Sequence, residues 1–508
     1  MRLIVVSNRL PIRLVREDRG WTSQPASGGL VTALSPVLRN RGGIWIGWPG
    51  VAGDFDEGEI LGPASREAGH RLHPVRLSEV ELKSFYHGFT NQIIWPLFHD
   101  LFTRCNFSSD FWRTYLKINA RFADAIIQHH QPDDYVWVQD YHLMQVGHLL
   151  RRRGHGRYRT GFFLHIPFPP PDVFVKLPWR SQILRGLLDY DLVGFQTIRD
   201  RRNFVHCLRH LVREAKVQGR GPVISVRYGD RMLRLGCFPI GIGFDEFSEV
   251  AKRPETAERV AALREAHGTS QLMLSVDRLD YTKGIPERLE GFRRALARYP
   301  SLHEKITLIQ QVVPSRDSVP EYQRLQTDIE TLIAKINGQF TRPGWIPVHY
   351  LYRSMPREEL VAHYRAADIG LITPLKDGMN LVAKEFCACD VDRSGALILS
   401  EFAGAAIQLR TGALLVNPYD YEGVAEAIRR AFLMPPEERR MRMHKLRTSV
   451  RKTDIAWWAD SFMEAAFART LHDFPHDERD LTEDFPRQHQ HAAAGRRDPS
   501  GRRAGAGA

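Results

Sequence analysis

The 508-residue sequence contains few cysteines and no long apolar segment. Its five cysteines are an odd number without a Cys-x-x-Cys pair, which argues against a disulfide framework or a cysteine zinc site and is typical of a reducing compartment. The apolar run Leu3–Val6 is followed at once by Ser7 and Asn8, so it is too short for a signal peptide. No other run has the length of a membrane helix. We therefore expect a cytoplasmic protein without a membrane contact.

Basic residues are in excess, with 71 Lys and Arg against 59 Asp and Glu and a net charge of +12. From Arg487 onwards, five arginines and one aspartate account for +4 of this charge, which leaves +8 for the rest of the chain. Such an excess suits anionic ligands such as nucleotides and sugar phosphates. No basic helix, zinc finger or aromatic RNA-binding signature accompanies it, so we expect no nucleic-acid partner.

The length predicts two domains, because a single hydrophobic core stops growing at about 250–300 residues. Short β-rich apolar runs alternate with helical stretches before and after the linker Pro239–Gly243. This pattern predicts an α/β protein with two doubly wound, Rossmann-like domains whose strand ends face a central cleft. We place the domains at 1–240 and 241–452, followed by a helix within 453–476 that packs back on the first domain and a disordered tail over 477–508.

The strands that matter most for function are predicted at Leu3–Val6, Tyr135–Val138, Gly161–Leu164, Leu272–Val276 and Ile369–Ile372. Each of them is followed by polar residues. Ligands of open α/β sheets bind outside the carboxyl ends of the strands, so these polar residues are the candidate site.

In the first half, Arg9 follows a strand in Ser-Asn-Arg-Leu-Pro, where a guanidinium can bind phosphate through two hydrogen bonds. Gly28 and Gly29 open a predicted helix, whose N–H groups could approach an anion or could simply form a turn and cap. Asp140 ends a strand in Asp-Tyr-His and could accept sugar hydroxyls or act as a base, with an N-cap as the equal alternative. His165 lies in Phe-Leu-His-Ile-Pro-Phe-Pro at a strand end, where it could contact substrate, although a lone histidine is more often structural.

In the second half, Arg278 and Lys283 lie between a strand and a helix, where two cations could neutralise a diphosphate. A solvated basic loop is the alternative. The segment 374–385, Pro-Leu-Lys-Asp-Gly-Met-Asn-Leu-Val-Ala-Lys-Glu, opens a helix whose free N–H groups could hold phosphate or sugar oxygens. Glu385 could bind ribose hydroxyls, or could be a surface acid that pairs with the helix dipole. Arg316 is a phosphate clamp or an ordinary loop arginine.

Taken in order, these strings together with Val-Gln-Asp-Tyr-His-Leu and Arg-Leu-Asp-Tyr-Thr-Lys-Gly resemble the trehalose-6-phosphate synthases from Arg2 to about Leu471. This family, glycosyltransferase family 20, consists of retaining enzymes of the two-domain GT-B fold. The resemblance implies an acceptor site for glucose 6-phosphate formed by Arg9, Tyr86, Trp95, Asp140 and Arg316. From the residues alone, Tyr86 and Trp95 are sugar platforms or, more often for aromatics, core.

The resemblance also implies a donor site and catalytic groups. The donor residues are Gly28, Gly29, Arg278, Lys283, Met355, Asp377, Gly378, Met379, Asn380, Leu381, Val382, Ala383, Lys384 and Glu385. Within this set Arg278 and Lys283 match the diphosphate clamp, Met355 a base-contacting position and Glu385 the ribose contact. The implied catalytic residues are Arg278, Lys283, His165 and Asp377.

The implied reaction transfers glucose from a nucleoside-diphosphate glucose, with UDP-glucose favoured, to glucose 6-phosphate without a metal or other cofactor. The family also implies a homo-oligomer, either a dimer or a tetramer. Three alternatives stay open: a glycerol 3-phosphate or cyclitol-phosphate acceptor, a non-catalytic sugar-phosphate sensor, and a pyridoxal-phosphate phosphorylase with Lys384 as the Schiff-base lysine.

Overall fold

The structure is a computed structural model that describes residues 2–17, 20–25, 29–51, 57–154, 158–268, 270–315 and 320–468. The tail predicted at 477–508 lies outside these residues. Two sheets, each covered by helices on both faces, contain most of the regular structure. The predicted α/β fold class with parallel sheets is confirmed.

The first sheet has nine strands in the order β5-β4-β1-β6-β7-β8-β11-β10-β9, parallel from β5 to β11 and antiparallel beyond. A separate two-stranded hairpin, β2-β3, follows β1. The strands are β1 Leu3–Arg9, β2 Ile12–Glu17, β3 Gly20–Pro25, β4 Gly43–Trp48, β5 Arg71–Pro74, β6 Tyr135–Gln139, β7 Arg159–Leu164, β8 Leu192–Phe195, β9 Lys216–Gln218, β10 Val223–Tyr228 and β11 Arg231–Cys237. The helices are α1 Gly29–Arg41, α2 Glu57–Ala68, α3 Glu79–Leu82, a π-helix Lys83–Ile94, α4 Trp95–Phe98, α5 Ser109–His129, α6 Val146–Gly154, α7 Pro171–Phe174, α8 Arg180–Leu188 and α9 Ile198–Leu211.

The second sheet has six parallel strands in the order β14-β13-β12-β15-β16-β17. The strands are β12 Gln271–Arg278, β13 Ile306–Val313, β14 Val348–Tyr352, β15 Ile369–Ile372, β16 Ala396–Ser400 and β17 Leu414–Val416. The helices are α10 Phe244–Lys252, α11 Pro254–Ala266, α12 Ile285–Arg298, α13 Pro320–Phe340, α14 Arg357–Ala366, α15 Leu381–Cys389, α16 Ala405–Leu409, α17 Tyr421–Phe432, α18 Pro436–Lys452 and α19 Ile455–Phe467.

The chain passes between the two halves at two points that touch each other. A Cβ on Gly241 would lie 2.3 Å from the carbonyl carbon of Asp454, so the first passage has no room for a side chain there. The Ile455 N–H donates to the Ile242 carbonyl at 3.1 Å. The two passages therefore form one compact joint.

Helix α19 leaves the second half and packs on the first sheet. The ring of Phe462 stacks on Trp137 of β6 with centroids 4.3 Å apart, and Trp458 stacks on the same ring at 5.1 Å. A Cβ on Gly161 or Gly194 would lie 2.9 Å from the Phe462 ring, so these glycines make room for it. The last helix of the second half thus completes the core of the first.

The predicted strand at 369–372 has the predicted bounds. The first motif differs, because Ser7, Asn8 and Arg9 belong to β1 instead of following it. Arg9 is still in register with Trp48 of β4, after an irregularity in the pairing of the two strands. Pairing with a neighbouring strand, which local sequence does not reveal, extends β1 to Arg9.

Candidate active site

The carboxyl ends of the parallel strands bring the motifs of both halves to one cleft. On the first sheet Arg9 ends β1, Asp140 follows β6 and His165 follows β7. On the second sheet Arg278 ends β12, and the loop 373–380 connects β15 to α15. This placement is the one expected for a ligand site between open α/β sheets.

The two halves touch across the cleft. A Cβ on Gly378 would lie 2.1 Å from the carbonyl oxygen of His165, so backbone packs directly on backbone there. The Trp95 Nε1–H donates to Asp280 Oδ1 at 3.4 Å. Trp95, predicted to contact sugar, is buried and uses its indole N–H to hold the opposite half. Only glycine at position 378 permits this approach.

Two aromatic rings, those of Trp48 and Tyr86, hold Arg9 at the first-sheet side of the cleft. The Arg9 guanidinium carbon lies 4.7 Å from the Trp48 ring centroid and 6.0 Å from that of Tyr86, within cation–π range. Tyr86, on the π-helix, in turn stacks on His142 at 6.0 Å. A cavity of about 490 Å³ beside Arg9 is lined by Asn8, Asp140 and other residues of β1 and β6. The exposed guanidinium can therefore meet an anion in this cavity.

Asp140 is held in a strained and half-buried position. Its φ is +73°, a conformation that non-glycine residues rarely adopt. The His165 backbone N–H donates to Asp140 Oδ1 at 3.2 Å. Burial raises the pKa of Asp140 to about 7, although Arg278 across the cleft acts in the opposite direction. The side chain makes no N-cap bond, so the capping alternative is wrong and the carboxyl is available to a ligand.

The His165 ring is neutral, and each of its two nitrogens has a polar partner. Its Nε2 lies 2.9 Å from Gln139 Oε1, and its Nδ1 lies 3.4 Å from Gln196 Nε2. Burial lowers the pKa of the ring to about 3. The ring is therefore not an imidazolium at neutral pH, and its backbone carbonyl faces the Gly378 loop.

On the second-sheet side, Lys283, Asp377 and Asn380 form one cluster. Lys283 Nζ lies 2.5 Å from Asp377 Oδ2, and Asn380 Nδ2 donates to the same oxygen at 3.1 Å. Burial opposes ionisation of Asp377, but Lys283 outweighs it and the pKa of Asp377 is lowered. Asn380, at φ +78°, also caps α15 by accepting the Ala383 N–H at 3.1 Å. The cluster is largely buried, which contradicts the solvated-loop alternative for Lys283.

Arg278 and Arg288 have different roles around the same loop. Arg278 is exposed to the cleft and forms no ion pair within the described residues. Arg288 on α12 is fully buried, 2.5 Å from Asp277 Oδ2, and also donates to Thr373 Oγ1 at 3.1 Å and to the Lys283 carbonyl at 3.1 Å. Arg288 thus ties β12, the Lys283 turn and the end of β15 together from beneath.

Two charged side chains near the start of α15 are shielded from solvent, Lys384 fully and Glu385 in part. The Tyr364 hydroxyl donates to Glu385 Oε2 at 2.8 Å, and burial raises the pKa of Glu385. Glu385 is half-buried, so it is not an ordinary surface acid. Lys384 Nζ donates to the Ile240 carbonyl at 2.7 Å, and full burial lowers its pKa to about 7. Lys384 contacts the linker and not the open cleft.

Several predicted residues are placed less directly. Met355 lies half-buried in the segment that joins β14 to α14, and Gly29 is the first residue of α1. Gly28 and Arg316 lie outside the described residues. Sequence reasoning missed Arg288, Gln196 and Tyr364, which support the cleft without any recognisable motif. Their only signal is a position just after a strand or on the inner face of a helix.

No group of three or more His, Cys, Asp or Glu side chains that could hold a metal ion occurs in the described part of the chain. Within the same residues no helix is both long and apolar enough to cross a bilayer. Asp189 and Asp191 have the Asp-x-Asp spacing that can bind a metal ion. Both carboxylates instead form ion pairs with Arg231.

Comparison with known proteins gives a consistent result. Residues 1–467 match the model of glycosyltransferase family 20. A trehalose-6-phosphate synthase of Mycolicibacterium vanbaalenii is 44% identical over 468 residues, covering 91% of this chain and 95% of that protein. A protein of the same name from Mycobacterium tuberculosis is 43% identical over 471 residues, covering 91% and 94%.

Solved structures agree. An α,α-trehalose-phosphate synthase (UDP-forming) of Burkholderia xenovorans, in complex with glucose-6-phosphate, aligns with a TM-score of 0.82 and 34% identity, covering 92% of this chain and 100% of that one. An E. coli structure that holds UDP-2-fluoro glucose aligns with a TM-score of 0.81 and 38% identity, covering 92% and 99%.

Proposed function

The chain belongs to glycosyltransferase family 20, and on that premise we propose that it is a UDP-forming α,α-trehalose-phosphate synthase. It transfers glucose from UDP-glucose to glucose 6-phosphate with retention of the α configuration. The observation that carries the proposal is the shared cleft, in which Arg9 and Asp140 of one sheet face Arg278 and Lys283 of the other. The relatives with bound glucose-6-phosphate and UDP-2-fluoro glucose support this choice of substrates.

The second-sheet side binds the donor. Arg278 and Lys283 neutralise the diphosphate and stabilise the charge that grows on it as the bond to glucose breaks. Glu385, one turn into α15, accepts hydrogen bonds from the ribose, and the loop Asp377–Asn380 surrounds the donor glucose. Buried Arg288 keeps the Lys283 turn in place, so the cation needs no rearrangement during the reaction.

The first-sheet side binds the acceptor. Arg9, held on the Trp48 and Tyr86 rings, binds the phosphate of glucose 6-phosphate, with Arg316 as its proposed partner. Asp140 accepts a hydrogen bond from a sugar hydroxyl. The acceptor's anomeric hydroxyl oxygen then attacks the donor's anomeric carbon on the face from which the diphosphate leaves. The carbon–oxygen bond to UDP breaks, and the hydroxyl proton passes to the departing diphosphate oxygen.

A grid of donors and acceptors tests this function. Release of nucleoside diphosphate is measured for UDP-, GDP- and ADP-glucose, each with glucose 6-phosphate, glycerol 3-phosphate or a cyclitol phosphate. We expect the fastest turnover with UDP-glucose and glucose 6-phosphate. Turnover with glycerol 3-phosphate but not with glucose 6-phosphate contradicts the acceptor, and binding without turnover for every pair favours the sensor alternative.

The proposal extends to the absence of a metal, because the cations Arg278 and Lys283 occupy the role of a Lewis acid at the diphosphate. Loss of turnover after treatment with a chelator contradicts the proposal that the reaction needs no metal ion. The cytoplasmic location and the dimer or tetramer stay predictions from the sequence, and light scattering of the purified chain measures the assembly.

A further inference from the structure

A buried glutamine connects His165 to the linker between the two halves. Gln196 directly follows β8 and is 2% exposed. Its Oε1 accepts the Ile240 backbone N–H at 2.9 Å, and its Nε2 lies 3.4 Å from His165 Nδ1. Gln196 belongs to none of the motifs that define the donor or acceptor site.

These contacts determine where the proton of His165 lies. The Ile240 N–H can only donate, so it requires the oxygen end of the Gln196 amide, and the amide NH₂ must then face His165. An NH₂ group also only donates, so His165 Nδ1 accepts and the ring proton is on Nε2. That proton points to Gln139 Oε1 at 2.9 Å. A backbone donor, which cannot be flipped, thus fixes the whole series of hydrogen bonds.

The same linker residue also binds the second half. The Ile240 carbonyl accepts a hydrogen bond from Lys384 Nζ at 2.7 Å. Lys384 is fully buried on α15, the helix that begins at the Asp377–Asn380 loop. Ile240 therefore bonds to the first half through its N–H and to the second half through its carbonyl.

We propose that Gln196 is a positioning residue that ties His165 to the interdomain linker at Ile240, and thereby sets the ring's Nε2–H tautomer and the position of the His165 carbonyl. That carbonyl packs on Gly378 of the loop around the donor glucose. A shift of the linker is transmitted to this contact through two hydrogen bonds. The effect on turnover rests on the proposed function, whereas the tautomer is a property of the protein without substrates.

The Gln196→Glu variant tests the assignment because it keeps the shape of the side chain. One carboxylate oxygen still accepts the Ile240 N–H, but the other can only accept, so His165 must place a proton on Nδ1. In ¹⁵N NMR of the full-length, ligand-free chain at pH 7, we expect the Nε2–H tautomer in the wild type. In the variant we expect the Nδ1–H tautomer or an imidazolium. The His165→Asn variant identifies the signal by its loss.

Turnover of the variant measures the positioning role. We expect kcat to fall about 10²-fold, as for other displacements of about 1 Å in an active site, with the KM of each substrate changed by less than about threefold. Gln196→Met, which removes both hydrogen bonds without adding charge, is the second variant should Gln196→Glu not fold. It is expected to populate both tautomers and to lose kcat in the same direction.

Gln408→Glu is the matched control. Gln408 is also a buried glutamine, and its NH₂ donates to Thr453 Oγ1 at 2.9 Å, away from His165. The same charge placed there should leave the His165 signal and kcat unchanged. A wild-type His165 with its proton on Nδ1 overturns the proposal whatever the enzyme's substrates are. An inverted tautomer with unchanged kcat overturns the positioning role alone.

Discussion

The two sides of the cleft differ in how many of their charged groups form close ion pairs. On the first-sheet side, burial favours neutral forms, with the pKa of Asp140 raised to about 7 and that of His165 lowered to about 3. On the second-sheet side burial also shifts the pKa values of Glu385 and Lys384 towards the neutral forms, but two close ion pairs, Lys283–Asp377 and Arg288–Asp277, are present, both at 2.5 Å. The difference matches the proposed substrates, since the neutral hydroxyls of a sugar can bond to uncharged polar groups, whereas a diphosphate needs fixed positive charge.

The largest expected effect comes from breaking the paired side. Arg288→Met leaves Asp277 as a buried carboxylate without its partner, which costs about 3–5 kcal/mol of unfolding free energy. Urea unfolding followed by fluorescence and circular dichroism measures the loss. Arg293→Met on the same helix removes only a partly exposed pair with Glu290 and should cost about 0–1 kcal/mol. Equal losses of unfolding free energy in the two variants contradict the conclusion that Arg288 holds β12, the Lys283 turn and the end of β15 together.

Removing charge from the cleft itself should affect catalysis and not stability. Arg278→Ala lowers kcat about 10²–10³-fold, the usual loss for a group that stabilises developing negative charge. Steady-state release of UDP measures it. Arg342→Ala serves as the control. It removes an exposed arginine at the amino ends of the strands of the same sheet, away from the cleft. Near-normal turnover of Arg278→Ala contradicts the clamp.

The smallest expected effect tests the neutral side. The folded-state pKa of Asp140, about 7, is above its ordinary 3.8, so the folded state binds more protons between these values. Its contribution to stability therefore falls as the pH rises from about 4 through 7. Asp140→Asn abolishes this fall, so between pH 5 and pH 8 the variant should gain about 2 kcal/mol relative to the wild type. Unfolding of the ligand-free protein at both pH values measures the gain.

Asp134 provides the matched control at the other end of β6. The pKa of Asp134 is lowered because Arg2, at 2.6 Å, outweighs the effect of burial. Asp134 is therefore ionised at both pH 5 and pH 8, and Asp134→Asn should cost the same stability at each. A pH-dependent difference in this variant, or none in Asp140→Asn, contradicts the contrast between the two aspartates.

The sequence predicted the strand ends of the cleft because alternation of strands and helices fixes which loops share an edge. Arg9, Asp140 and Arg278 were predicted in this way, whereas the role of Asp377 came from the family resemblance. Arg288 was not, because α12 carries several arginines and only packing distinguishes the buried one from exposed Arg294. Gln196 was missed for a similar reason, since its partner Ile240 is distant in sequence and bonds through its backbone.

The sequence likewise did not predict the π-helix Lys83–Ile94. Its wide turns are stabilised by side chains, since both Thr90 Oγ1 and Asn91 Nδ2 donate to the Tyr86 carbonyl at 2.6 Å. Neither residue has a strong preference for this conformation, so no local pattern predicts it. Long helices and buried parallel strands are predictable because many residues in each share the same structural preference. A single hydrogen bond from a side chain to the backbone leaves no such pattern in the sequence.

The packing of α19 on the first sheet has a consequence during synthesis. The Trp137 face of that sheet is complete only when Trp458 and Phe462 have left the ribosome. They are made about 220–225 residues after Cys237, the end of the last strand of this sheet, a delay of roughly 10–45 s at about 5–20 residues per second. Until then the Trp137 ring lacks these two aromatic partners, so this face of the sheet leaves apolar surface open to aggregation.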